Sequence, residues 1–450
     1  MNKEIRSIFG KRKVILRGTS RAVTPYGGIS VFVDFLNRIG YGEAVERYMP
    51  IWLRSPNAIR PGETLTAFLI SVLVGARRFA QTAILRGDEG LHRLLGLRRY
   101  PTDDTIRNLF KRFGQGQVVG LFSGLTEWML DRVPIREGGY SVDLDSTVFE
   151  RYGKQEGAKK GHNPRKHGRP SHHPILAILA EANFVLHSWL RSGNSGASRG
   201  VVEFMKEGMA LLGDKHRIRL VRADSGFLDK DFLVFLERRK LGYIVVARMS
   251  KWVKREVVRV GQWRELDEVY AVGEFKVQLL GWDKERRFVV VREKKREEKG
   301  SVGRSLFELP EYTFRVFVTN LELSPEEVWR EYNQRANMEN RIAELKYDLG
   351  ADDFCMRRFF ATEAAFRSVT FLFNLLSEFQ RATGMVNYQR AATLRSTVFL
   401  CGAILGKAGR RTVLFLSESW GGLKSRKPLF EKLLTYADAT SPKLNLQLMT

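Results

Sequence analysis

The decisive stretch is YSVDLDSTVF, residues 140–149. Its apolar residues alternate as a half-buried strand requires, and the period of two places Asp143 and Asp145 on one face. Strands disfavour aspartate, because the short side chain competes for backbone hydrogen bonds and packs poorly on the pleat. Two acids on one strand face therefore call for a cation or a cluster of bases. Reading outward, HHPILAILAE (172–181) and NFVLHSWLR (183–191) are extended, Gly200–Leu212 is helical and IRLVRAD (218–224) is a strand. Lys230–Lys240 reads as a helix and GYIVVARM (242–249) as a strand. Such alternation specifies an α/β sheet. The second strand ends on Asp224-Ser-Gly-Phe. Alone, an aspartate there is an ordinary turn-former. Together, Asp145 and Asp224 stand where open α/β sheets place their sites.

On either side the texture changes. Residues up to about 130 read mostly as helices, with Ser30–Ile39 and Thr64–Arg78 at helical spacing and Pro61-Gly62 as the intervening turn. Thr102–Asp104 start a further helix, with Ile106, Leu109, Phe110 and Phe113 on one face. With Glu89–Leu95 before it, this pair reads either as a groove-reading helix-turn-helix or as one more bundle pair. A β-rich, charged stretch runs from about Ser250 to Arg304. YTFRVFVTN (312–320) returns to strand, and the chain is mainly helical from Ser324 onward.

That last helix opens on a Ser324 cap, Pro325 at its first position and Glu326-Glu327 in its first turn. Continued to about Leu349, it can be drawn on a wheel of about 100° per residue. With Tyr332 at zero, Arg335, Glu339 and Lys346 fall near 300°, 340° and 320°, all within an arc of about 60°. Met338, Ile342, Leu345 and Leu349 form an apolar stripe beside them. Solvated charge pairing on a helix surface accounts for the charges but not for the aromatic in line with them.

Composition narrows the partners. The 450 residues include 75 Lys+Arg against 50 Asp+Glu, a formal charge of +25. Such self-repulsion is relieved by a polyanion, and nucleic acid fits best because neutralised phosphates release counterions. No apolar run reaches the roughly 18 residues of a membrane span, and the N-terminus turns charged too early for a signal peptide. The two cysteines, Cys355 and Cys401, make no disulfide framework, so the expected setting is a reducing cytoplasm. Residues 150–175 hold seven Lys/Arg and four histidines (His162, His167, His172 and His173), without zinc-motif spacing, and read as a flexible basic loop near DNA. Lys294–Lys299 mixes both signs and reads as a solvated hairpin edge.

Tyr332-x2-Arg335-x3-Glu339-x6-Lys346, within YNQRANMENRIAELK, resembles the Y-R-E-K signature of a branch of bacterial insertion-sequence DDE transposases. Asp145-Ser-Thr and Arg222-Ala-Asp-Ser-Gly-Phe resemble that branch's two acidic motifs. GHNPRKHGRPSHHP (161–174) and LRSGNS (190–195) are similar to segments it carries between them. The matches cover roughly residues 140–350. The resemblance implies an RNase H-like catalytic core interrupted by a β-rich insertion, with helical N-terminal and C-terminal regions. In outline this gives a DNA-binding region over 1–130 and core over 131–248. The insertion covers 249–310, core resumes over 311–382, and a helical tail spans 383–450.

It further implies Asp145, Asp224 and Glu339 as catalytic metal ligands, and Tyr332, Arg335 and Lys346 as DNA contacts. Oxygen donors of this kind suit Mg²⁺ or Mn²⁺. Two ions per site would activate the attacking oxygen and stabilise the departing one. Asp143 competes with Asp145 for its role, while Glu344 points away from the stripe. Trp252, Trp263 and Trp282 are candidates for stacking on an extruded base should the ends form hairpins. The expected activity is cleavage at transposon terminal repeats and joining of 3′-OH ends to target DNA, by a homodimer in the synaptic complex. The alternatives are an RNase H-like nuclease without strand transfer and a DNA-binding repressor or domesticated relic without catalysis.

Overall fold

The computed structural model describes residues 3–9, 12–161, 163, 166–295, 312–385, 387–419 and 423–435. The chain opens with β1 (Lys3–Arg6), β2 (Lys13–Leu16) and β3 (Ala22–Thr24). Helices follow: α1 (Ile29–Arg38), α2 (Tyr41–Tyr48), α3 (Pro61–Leu73), α4 (Phe79–Thr82), α5 (Glu89–Leu94), α6 (Asp103–Lys111) and α7 (Gln115–Leu130). Next come β4 (Tyr140–Ser146), β5 (Phe149–Glu150), β6 (Lys159–Lys160), β7 (Pro170–His172), β8 (Ile175–Leu179) and β9 (Phe184–Trp189). Alternation sets in with α8 (Val201–Leu212), β10 (Ile218–Ala223), α9 (Lys230–Arg238), β11 (Gly242–Val246) and α10 (Lys251–Arg259). Strands β12 (Arg264–Glu265), β13 (Tyr270–Val277), β14 (Arg286–Lys294) and β15 (Tyr312–Thr319) precede helices α11 (Pro325–Asn333), α12 (Ala336–Ala343) and α13 (Phe359–Ala382). Last are α14 (Ala391–Leu394), β16 (Ala403–Ala408), β17 (Arg411–Leu416) and α15 (Leu423–Thr435).

A nine-stranded mixed sheet in the order β12-β13-β14-β15-β11-β10-β4-β8-β9 organises the molecule. Strands β4, β10 and β11 run parallel, while β8 is antiparallel to β4 and β9 antiparallel to β8. All of Ile175–Leu179 and most of β4 are buried, as strands covered on both faces should be. The cover on one side is α13, buried without interruption from Ala361 to Gln380. It lies between β9 and the N-terminal helices α3, α6 and α7, so those helices share one core with the sheet. Asn374 ties it to β9: it accepts from Val185 N at 2.7 Å and donates to Val185 O at 2.9 Å.

Several expectations need correction. Pro61 opens α3 at its first position, where a turn was expected, and the Glu63 carboxylate accepts from Arg60 N at 3.3 Å and from its guanidinium. Helix α6 turns Ile106, Leu109 and Phe110 into the core with α3, α4 and α13, the bundle alternative of the two readings. The termini are not wholly helical. Strand β3 pairs with β16, and β16 with β17, joining the two ends of the chain. A Cβ at Gly28 would sit 1.9 Å from Val398 O, so glycine permits that backbone approach.

The charged stretch after Ser250 begins with helix α10, and its strands continue the main sheet through β15 onto β11. Of the hairpin edge Lys294–Lys299, residues 296–299 lie outside the described residues. The helix drawn from Ser324 to Leu349 is broken. α11 stops at Asn333, α12 restarts at Ala336, and Glu344–Asp348 forms a π-turn. Among the described residues, no helix is long and apolar enough to cross a membrane.

Candidate catalytic carboxylates and their cleft

The parallel register pairs Ala223 of β10 with Leu144 of β4. The residues that follow, Asp145 still within β4 and Asp224 just past the end of β10, therefore lie side by side at the carboxyl edge of these strands. Burial pushes the Asp145 carboxyl up to about 6; Arg335 pulls against this, and neighbouring Asp224 adds to it. Asp145 is 13% exposed, with Oδ2 3.0 Å from Arg335 Nη2 and Oδ1 accepting from Ser146 N at 2.7 Å. Asp224 Oδ1 accepts from Gly226 N at 2.9 Å and caps the short turn Ser225–Phe227. A Cβ on Gly226 would meet Ala197 Cβ at 2.8 Å and Asp224 Oδ1 at 3.0 Å, so the turn is built around glycine.

Asp143 occupies the same strand face one pleat back, with a different fate. Fully buried, it accepts from Arg222 Nε at 2.7 Å and Nη2 at 3.2 Å, with Arg341 Nη1 at 3.6 Å. Its oxygens are committed to holding β4 against β10. Arg222 was missed in the sequence, although an arginine inside an apolar strand, like an aspartate there, is a signal of pairing.

The Y-R-E-K residues are distributed unevenly. Tyr332 is buried, its ring 4.7 Å from that of Phe317. Arg335 is buried too; besides Asp145 it reaches Leu144 O, to which Nη2 donates at 2.8 Å. Lys346 lines the cleft described below and donates to Val148 O at 3.1 Å. Glu339 stands exposed in the first turn of α12, just after the helix break. No group of three His, Cys, Asp or Glu among the described residues is gathered tightly enough to hold a metal. The structure thus joins Asp145, Asp224 and Arg335, with Glu339 on the exposed side of α12. Glu344 is sequestered: it accepts from Ala391 N at 2.7 Å and Tyr388 Oη at 3.0 Å, and burial holds it up at about 7.

Beside the carboxylates opens a cleft of about 1150 Å³ whose lining includes Asp224, Lys346, Arg78, Arg151, Lys166 and Arg248. Arg78 and Arg248 escaped the sequence reading, since no spacing links segments so far apart. Part of its lining, including Glu150, Gln155 and Asn163, comes from the stretch expected to be a flexible basic loop, whose described residues include the small sheet β5-β7-β6. His172 anchors it: Arg151 Nε donates to Nδ1 at 2.9 Å, Nε2 lies 2.8 Å from Glu156 O, and burial lowers its pKa to about 4. His162 falls outside the described residues.

Of the three tryptophans, Trp263 donates from Nε1 to Val260 O at 3.1 Å, beneath Arg292. Trp282 stacks on Phe288 beneath Arg286. Trp252 is half-exposed on α10. For a divalent cation the donor set at Asp145 and Asp224 fits: hard oxygens, one with a raised pKa, beside a cleft, with Arg335 the cation that balances them here.

No curated protein matches the chain. Among solved structures, it resembles a piggyBac transposase synaptic complex with hairpin DNA, at TM-score 0.45 and 11% identity over 85% of this chain and 82% of that one. The family model described as transposase DDE domain group 1 matches residues 6–437. The chain therefore belongs to the DDE transposase family, and is a DDE-type transposase of DNA transposition.

Proposed function

We propose that this transposase binds transposon terminal repeats, cleaves them, and joins the freed 3′-OH ends to target DNA in a cut-and-paste reaction, with hairpin ends as a candidate intermediate. One observation carries the reading: Asp145 and Asp224 emerge together from adjacent parallel strands beside a cation-lined cleft. The order β9-β8-β4-β10-β11, antiparallel over β9, β8 and β4 and parallel from β4 to β11, supports an RNase H-like core. In this reading 131–248 and 311–382 form the core, 249–310 its insertion, 1–130 the DNA-binding region, and 383–450 contacts between protomers of a synaptic homodimer. The Y-R-E-K signature supports placement in the bacterial insertion-sequence branch, acting at the cytoplasmic nucleoid.

Membership of the family implies dependence on divalent metal. We assign Asp145, Asp224 and Glu339 as its ligands, with Mg²⁺ or Mn²⁺ and two ions per site. The bound metal supplies Lewis-acid activation of the attacking oxygen and charge neutralisation at the phosphorus. The protein's own groups do the rest. Asp143 and Arg222 lock the two strands in register, which fixes Asp145 against Asp224. Arg335 keeps the desolvated Asp145 carboxylate balanced, and Tyr332, Arg335 and Lys346 are the groups assigned to the phosphates of the transposon end.

The test is excision of a marker flanked by the repeats that bracket this gene, with Mg²⁺, comparing wild type with Glu339→Ala. Excision abolished in the variant, with end binding retained and strand-transfer products seen only for wild type, is the expected result. Cutting without joining supports the nuclease alternative; ends bound but never cut by either protein support the relic.

A further inference from the structure

Helix α10 carries a second, outward-facing surface that the catalytic reading does not use. Val253 and Val257 are buried beneath it. Lys251, Trp252, Arg255, Val258 and Arg259 are exposed, at positions i, i+1, i+4, i+7 and i+8 of one helical face. The face is cationic with an aromatic set into it: the Arg255 guanidinium lies 4.7 Å from the ring centroid of Trp252, which is 49% exposed. Its nearest acid, Glu256, pairs with Arg255 at 3.1 Å and Arg259 at 3.2 Å. Glu256 is largely covered while Arg255 and Arg259 are about half exposed or more, so one carboxylate shared by two arginines leaves their outer N–H groups open to a phosphate.

The position of this face is as informative as its charge. Arg248 donates from Nε to Ser225 O at 2.9 Å and from Nη2 to Gly226 O at 3.3 Å. The segment leading into α10 is therefore tied to the turn that presents Asp224. Lys251 follows Arg248 by three residues, at most about 11 Å of chain. From Lys251 to Arg259 the helix rises about 12 Å, over which duplex DNA presents about seven phosphates.

We infer that the outer face of α10 is a DNA-docking surface that seats the phosphate backbone next to the Asp145–Asp224 pair. The occupant is duplex DNA, chosen by charge complementarity and by the tether to the catalytic turn. This rests on the transposase reading above and adds a contact surface to it. Lys251, Arg255 and Arg259 supply the phosphate contacts, and the Trp252 ring packs against the sugar-phosphate edge between them.

The experiment is the salt dependence of DNA binding by the full chain, with a linear duplex containing the gene's flanking repeat and no divalent metal. The variants are Lys251→Gln/Arg255→Gln/Arg259→Gln and a control with the same charge change, Arg238→Gln/Arg239→Gln/Lys240→Gln. The control residues are exposed and lie just ahead of β11, at the opposite edge of the sheet. The α10 variant should lose about 2 to 3 from the slope of log K against log salt, since each phosphate contact contributes about 0.9, with the control unchanged. Equal slopes in the α10 variant, the control and wild type overturn the docking surface while leaving the transposase reading intact. A wild-type protein that does not bind the duplex overturns both. Unchanged melting temperatures for both variants ensure that the comparison reports binding.

Discussion

Replacing Arg222 by Met should unsettle the molecule without touching any of the three carboxylates proposed for catalysis. Arg222 and Asp143 are 1% and 0% exposed, and the guanidinium meets both carboxylate oxygens, at 2.7 and 3.2 Å. Removing one partner of such a pair strands the other as a buried charge, at a cost of about 3–5 kcal/mol. Arg341, 3.6 Å from Asp143, remains to compensate in part, which places the expected loss near the lower end, at about 3 kcal/mol. Arg222 Nη1 also donates to Glu331 O at 2.7 Å, so the tie from β10 to α11 goes as well. In thermal unfolding followed by circular dichroism, the midpoint should fall by about 3 °C, since 450 residues carry an unfolding entropy of about 0.9 kcal/mol/K. The double variant Asp143→Leu/Arg222→Met removes both charges of the pair and should recover part of that fall, the remainder reflecting Arg341, which loses Asp143 as its partner. Lys206→Gln is the control, because Lys206 and its partner Glu203 are both more than half exposed and such pairs contribute at most about 1 kcal/mol. If Arg222→Met melts no lower than Lys206→Gln, the Asp143 carboxylate is not desolvated and its assignment to structure is wrong.

Two further outcomes are expected. Glu344 is held at about 7 against an ordinary 4.5, so the folded chain keeps a proton that the unfolded chain releases between those values. Its contribution to stability is therefore full below pH 4.5 and lost as pH rises through about 7, a change of about 3 kcal/mol that Glu344→Gln should flatten in pH-dependent denaturation. Gly226→Ala should shift the Asp224 turn through its contacts at 2.8 and 3.0 Å. Overpacking of this kind costs about 1–3 kcal/mol, and metal-dependent DNA cleavage should fall far more than the melting point; equal activity would show that the turn can give way.

Much of this molecule could be read locally. The alternation around Asp143 and Asp145, the Asp224 turn and the Ser324 cap each rest on a few neighbouring residues, and strand periodicity or capping chemistry suffices to find them. The wheel drawn from Tyr332 to Lys346 also marked the apolar stripe correctly at Met338, Leu345 and Leu349, all buried. It failed where it assumed an unbroken helix. The interruption at Gln334-Arg335 and the π-turn at Glu344–Asp348 change the rotation between Tyr332, Glu339 and Lys346. The wheel therefore could not show that Tyr332 and Arg335 turn inward while Glu339 faces solvent.

What the sequence determined alone were the features whose causes lie within a turn or a pleat: the α/β alternation, the caps and the placement of acids at strand ends. The tertiary structure decided which acid is tied up within the sheet. Asp143 and Asp145 are chemically identical and share a face. Arg222, arriving from β10 79 residues later in the chain, pairs with the first, while the second faces Arg335 and the neighbouring Asp224. Distances of that kind are set by strand order and register, which are cooperative properties of the whole sheet and leave no local mark on the sequence.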